Sequence, residues 1–107
     1  MTMKQIQTDL QEIRYYYAHK DIFDKACDSV VKNAIVEKVG RYNTVIRGAS
    51  PQLYALYVAL YTENNTQLVV ADDWNVSEGH IKNLNRKLRD YLLAAFDKAM
   101  SQQTVDK

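Results

Sequence analysis

Residues 66–84, TQLVVADDWNVSEGHIKNL, have the order of residue types that a helix-turn-helix requires. The first helix of this window places Val70 and Trp74 on one face, one turn apart. Small Ala71 lies beside Val70, where a second helix must approach closely. Asn75 then tolerates the left-handed backbone that a tight turn needs. The window therefore predicts two helices that pack against each other across a short turn.

The residues after Asn75 predict the start of the second helix. Val76 is expected to fill the angle between the helices, and Ser77 to cap the exposed amides of the next one. Ile81 and Leu84 return to the inner face at a spacing of three residues. The outer face is left to Glu78, Gly79, His80, Lys82, Asn83 and Arg86.

An ordinary pair of core-forming helices is the alternative interpretation, because an amphipathic hairpin needs some of the same features. The small residue, turn residue, apolar plug and cap in fixed order favour the helix-turn-helix. Gly79 departs from the simplest pattern, since glycine inside a helix costs about 1 kcal/mol relative to alanine.

Length and composition predict one small, soluble domain. The chain has 107 residues, of which 47% are hydrophobic, enough for a modest core without metal or disulfide. The single cysteine, Cys27, excludes an intramolecular disulfide and suits a reducing cytoplasm. No apolar run approaches the roughly 20 residues of a membrane span, and the amino terminus is too polar for a secretory signal. We therefore expect a cytoplasmic protein with no membrane partner.

The three glycines and one proline are few enough to predict an all-α chain. Residues 3–18 form a helix with a narrow apolar seam, and Gly40 is a plausible helix stop. Beyond the seam, either a second helix begins near Asp21 or one long helix changes its buried face. Ser50 and Pro51 start another helix, as cap and first residue. The seam consists of Ile6, Leu10, Ile13 and Tyr17.

Three segments follow from this pattern. Residues 1–49 are an amino-terminal helix or helical hairpin for packing or oligomerisation, and residues 50–98 are the helix-turn-helix unit. Residues 99–107 are a frayed tail on the same compact domain.

The stretch from Ser50 to Leu92 resembles region four of a sigma factor, the part that reads the upstream promoter element. It covers roughly 40% of the chain, and its motif specificity is moderate because many helix-turn-helix families share it. The corresponding parts, in order, are Pro51, the run Tyr54 to Tyr61, Thr66 and Gln67, Ala71, Val76 and Ser77, and the basic stretch from Lys82 to Arg89.

With its amino-terminal helices and its length, the chain resembles small phage regulators of the ArpU type. The resemblance implies a phage or prophage transcriptional regulator that binds double-stranded DNA, with host RNA polymerase as a candidate partner. Trp74, Asn75 and Gly79 depart from the family pattern, in which leucine and glycine are usual at the first two.

In this interpretation the second helix enters the major groove, where its first residues reach base edges and longer basic side chains meet phosphates. Asn83 is suited to adenine and Lys82 to guanine. The predicted DNA-binding residues are Thr66, Gln67, Ser77, Glu78, His80, Lys82, Asn83, Arg86 and Lys87.

Charge is uneven although the net charge is only +1. Lys82, Arg86, Lys87 and Arg89 lie together on the last helix, whereas Asp72 and Asp73 lie on the helix before it. The two acids would weaken DNA binding if they faced the phosphates, so they are expected to point away from the groove.

Other chemistries have little support in the sequence. Cys27 lies on an apolar stripe, where a thiol is normally inert, and no histidine and cysteine motif suits a metal. We therefore expect no enzyme, no metal and no cofactor. The competing function is a protein-interaction module with a degenerate helix-turn-helix. A homodimer through the amino-terminal seam also stays open.

Overall fold

Helices make up nearly all of the structure, a computed structural model that describes residues 1–25 and 30–105. Within these ranges there is no β-strand, which confirms the predicted all-α class. Cys27, with its predicted packing role, lies outside the described residues. A π-helical turn, Val58–Thr62, directly follows the fourth helix. The helices are α1 (Met3–Ala18), α2 (Lys20–Lys25), α3 (Val30–Ile46), α4 (Pro51–Tyr57), α5 (Gln67–Asp73) and α6 (Glu78–Val105).

The first two helices, α1 and α2, are separated at His19. The backbone N–H of His19 donates to the carbonyls of Tyr15 and Tyr16, at 3.0 and 3.2 Å. Its φ and ψ of −122° and 30° leave the helical region. Of the two alternatives that the sequence left open, a new helix rather than one continuous helix is therefore correct.

The apolar seam of α1 is buried inside the chain's own core. Ile6, Leu10 and Ile13 are at most 2% exposed, and α1 packs on the π-helical turn, α3 and α6. The last buried tyrosine of α1 is Tyr16 rather than the predicted Tyr17, which is half-buried. The chain's own helices fill this seam, which is the packing alternative, and a homodimer stays a prediction.

A polar link joins α1 to α3 beside the seam. The Tyr42 hydroxyl donates to Asp9 at 2.7 Å, and the Lys38 ammonium lies 3.0 Å from Asp9 and 2.7 Å from Glu12. Burial, together with the hydrogen bond to Asp9, raises the pKa of Tyr42. Burial opposes the charge of Lys38, but its hydrogen bonds to Glu12 and Asp9 outweigh burial and raise its pKa. Both shifts favour the protonated forms that lysine and tyrosine already have at neutral pH.

Gly40 lies inside α3, so the prediction that it ends this helix is wrong. The helix carries Val39, Tyr42 and Ile46 into the core on either side of it, and each is at most 6% exposed. Packing of these side chains outweighs the low helix propensity of one glycine. At the other end of the chain, α6 continues through Val105, beyond residue 98, where the predicted DNA-binding unit ends.

Replacing Gly40 with alanine is expected to raise the free energy of unfolding by about 0.5 to 1 kcal/mol. The position is exposed, its φ is not positive, and an added Cβ would meet nothing within 4 Å. Urea unfolding measures the change. Gly48→Ala is the contrast, because its Cβ would lie 2.8 Å from the Tyr91 hydroxyl oxygen and disturb that group's hydrogen bond to Val45. A loss of stability in both variants would contradict the prediction.

Candidate helix-turn-helix site

The first helix of the site, α5, begins and packs as the sequence predicts. The Thr66 hydroxyl oxygen accepts a hydrogen bond from the Val69 backbone N–H at 3.2 Å, which caps the helix. Val70 and Ala71 are 1% and 3% exposed, and α5 packs against α6. The predicted inner face of α5 is confirmed.

The turn after α5 has the hydrogen bonds of a Schellman motif. Asn75 has a φ of 57°, so its predicted left-handed backbone is confirmed. The N–H of Val76 donates to the Ala71 carbonyl at 2.9 Å, and that of Asn75 donates to Asp72 at 3.2 Å. These bonds fix the direction in which the chain leaves α5.

Val76 does not fill the angle between the helices, and that prediction is wrong. Its exposed fraction is 38%, whereas Trp74 is partly buried against the core.

The start of α6 is fixed by a cap and by buried side chains. The Ser77 hydroxyl oxygen accepts from the His80 backbone N–H at 3.1 Å. Ile81 and Leu84 are 0% and 4% exposed, which confirms the predicted inner face. The hydroxyl hydrogens of Thr66 and Ser77 are not used in these caps and stay available as donors.

The first turns of α6 present a polar outer face to solvent. Glu78 is partly buried, and its carboxylate forms an ion pair with the Lys82 ammonium at 3.4 Å. Arg86 makes a long hydrogen bond, 3.5 Å, to the Asn83 side-chain oxygen. Of the remaining predicted residues, Gln67 is partly buried on α5. The exposed predicted residues are Thr66, Ser77, His80, Lys82, Asn83, Arg86 and Lys87.

The charge of this outer face is positive. Lys82 is balanced by Glu78, but Arg86 and Lys87 form no ion pair with any described residue. Gly79 adds no side chain between these groups, and only the Ser77 hydroxyl lies as near as 4.0 Å to where its Cβ would be. A ligand backbone could therefore approach α6 closely at Gly79.

A different surface lies on α5. Leu68 and Val69 are 64% and 45% exposed, although both are apolar. Asp72 and Asp73 follow them at a spacing of four, so each acid shares a helix face with one apolar residue. Both acids are exposed.

A second polar group, missed by the sequence analysis, lies where α1, the π-helical turn and α6 meet. It includes Arg14 from α1, Tyr61 from the turn, and Asn85 and Arg89 from α6. In the sequence Arg89 is one member of the basic last helix, and nothing in the residue pattern distinguishes its half-buried position. Arg14 has no local signal either, because its partner Asn64 is 50 residues away.

The described residues hold no group of three or more His, Cys, Asp and Glu side chains placed to bind a metal ion. Among the same residues, no helix combines the length and apolar character that crossing a membrane demands.

Comparison with protein-family models, characterised proteins and solved structures gave no significant match to this chain.

Proposed function

We propose that this chain is a transcriptional regulator that binds double-stranded DNA by placing the outer face of α6 in the major groove. The observation that carries the proposal is the exposed polar and cationic face at the start of α6, on a helix braced by α5. A major groove admits one such helix, and side chains near its amino terminus reach base edges. The Schellman turn and the Ser77 cap fix the direction of α6, so the face is preorganised.

The predicted DNA-binding residues have two proposed roles, according to their position in α5, the turn and α6. His80, Lys82 and Asn83 lie in the first two turns of α6 and are proposed to contact base edges, with Glu78 holding Lys82 in place. Arg86 and Lys87 lie one turn further and are proposed to bind phosphates. Thr66, Gln67 and Ser77 would add polar phosphate contacts from the start of α5 and the turn.

One recognition helix with a net charge of +1 makes few phosphate contacts, so the regulator needs a second source of affinity. The resemblance to phage regulators of the ArpU type supports host RNA polymerase in this role. We place the activity in the cytoplasm of a bacterial host of phage or prophage. The packed seam of α1 removes the most direct route to a dimer.

Selection of bound duplexes from a random DNA library at physiological salt tests the proposal. The wild-type protein is expected to enrich one motif. Asn83→Ala is expected to relax the preference at one adenine position, since a bidentate contact is worth about 1 to 3 kcal/mol. The matched control is Asn33→Ala, an exposed asparagine on α3, which leaves the motif unchanged. Failure of a folded wild-type protein to enrich any motif would reject the proposal of sequence-specific DNA binding.

The second candidate function is a protein-interaction module, and the exposed apolar residues of α5 favour it. Leu68 and Val69 lie beside two acids, a combination that suits a protein surface better than phosphates. This function requires that Lys82→Ala and Arg86→Ala retain activity while Leu68→Ser loses it. The DNA-binding proposal requires that Lys82→Ala and Arg86→Ala lose activity while Leu68→Ser retains it.

A further inference from the structure

A concave site lies between α1, the π-helical turn and α6, apart from the outer face of α6. Its volume is about 380 Å³, within the range of small-molecule sites. Leucine supplies one apolar wall and the other lining side chains are polar, with no carboxylate among them. The site is lined by Gln7, Leu10, Gln11, Arg14, Tyr61, Asn85 and Arg89.

Arg89 is the central cation of this site. Its Nε is buried and donates to no described residue. A buried donor without a partner is unfavourable, and more so when it belongs to a charged group. Neither Arg89 nor Arg14 forms an ion pair within the described ranges. The site therefore holds two guanidinium groups that no carboxylate of the described residues pairs with.

The other polar groups of the site can supply further hydrogen-bond donors. Arg14 uses two N–H groups on the side chain and carbonyl of Asn64, at 3.3 and 3.4 Å, which leaves three of its five donors. The Tyr61 hydroxyl donates to the Asn85 oxygen at 2.7 Å, so Asn85 retains its amide hydrogens. The amide groups of Gln7 and Gln11 are further donors.

The charges of Arg89 and Arg14 both affect the Tyr61 hydroxyl. Burial raises the pKa of Tyr61, and the positive charges of Arg89 and Arg14 oppose that rise. Both arginines line the same site as Tyr61, Arg89 from α6 and Arg14 from α1.

We infer that this site binds a phosphate group, as inorganic phosphate or a phosphate monoester. A dianion matches two guanidinium charges, and planar arginine forks donate paired hydrogen bonds to phosphate oxygens. Binding also gives the Arg89 Nε its missing acceptor. The inference does not depend on DNA reading, because Arg86 and Lys87 occupy the exposed side of α6 and line no part of this site.

Titration of the whole protein with inorganic phosphate tests the inference, with chloride at matched ionic strength as the reference. The arginine Nε–H signals are followed by NMR. Phosphate is expected to shift the Arg89 and Arg14 signals saturably, with a Kd in the millimolar range or below. Arg89→Gln is expected to weaken binding about tenfold to a hundredfold, from the 1.5 to 3 kcal/mol of a hydrogen bond to a charged group. Arg14→Gln, on another helix, should weaken it similarly.

Arg41→Gln, the same change at an exposed position on α3, is the matched control and should leave phosphate binding unchanged. A shift that does not saturate, or that chloride reproduces, would overturn the inference. Unchanged affinity in both Arg89→Gln and Arg14→Gln would overturn it too.

A short DNA duplex then distinguishes two sources of the phosphate group. If the duplex shifts the Arg89 signal and phosphate reverses the shift, the site takes a singly charged phosphodiester of DNA, which overturns the inference of a free phosphate or monoester. If the duplex shifts the Arg86 signal and leaves the Arg89 signal unchanged, the site is a separate pocket for a free phosphate compound, which supports the inference.

Discussion

Replacing Arg86 with glutamate is expected to lower the affinity for duplex DNA about tenfold to a hundredfold, the scale of 1 to 3 kcal/mol for a lost contact. The Arg86 side chain is exposed on the outer face of α6 and has no acidic partner among the described residues. Charge reversal replaces attraction to a phosphate with repulsion. The slope of the logarithm of affinity against the logarithm of salt concentration should decrease in magnitude by about one.

Titrations of a labelled duplex carrying the selected motif, at several salt concentrations, measure both quantities. Arg41→Glu makes the same charge change at an exposed position on α3, a helix that lies outside the helix-turn-helix. It should change the affinity much less than Arg86→Glu does. Equal losses in the two variants would mean that overall charge, and not the face of α6, governs binding.

Replacing Leu88 with alanine is expected to lower the free energy of unfolding by about 2 to 5 kcal/mol. The Leu88 side chain is 0% exposed, on the face of α6 that also buries Ile81 and Leu92. The substitution removes apolar atoms and leaves a cavity among packed helices. The free energy of unfolding of a small domain is only about 5 to 15 kcal/mol, so a large part of the stability depends on this one side chain.

Urea unfolding with circular dichroism detection measures the loss. Leu68→Ala removes the same atoms from a side chain that is 64% exposed, and it should change stability by less than about 0.5 kcal/mol. Similar losses for the two leucines would mean that α6 does not form the centre of the core.

The features of the site that the sequence predicts correctly act over three or four residues. The caps at Thr66 and Ser77 and the left-handed Asn75 each depend on backbone groups close in the chain. Their residue types therefore signal their structure directly. The buried pairs of the inner faces follow from helical spacing in the same way. DNA binding itself stays a prediction.

The errors arise where distant parts of the chain decide the outcome. Gly40 stays helical because the flanking turns of α3 enter the core, and Val76 stays exposed while Trp74 packs against the core. The two-arginine site needs α1 and α6 side by side, with Arg14 and Arg89 far apart in sequence. The π-helical turn has no pattern of its own in a run of apolar residues that any buried helix would share.

The hydrogen bonds of Arg14 have a consequence for dissecting the protein. They join α1 to Asn64, which has a φ of 60° and lies two residues after the π-helical turn and two residues before Thr66. The entry to the helix-turn-helix is thus attached to the other end of the chain. A fragment cut out at residues 50–98 would lose that attachment and expose the sides of α6 and the π-helical turn that α1 covers. The shortest version of this helix-turn-helix that could be transplanted intact therefore includes α1.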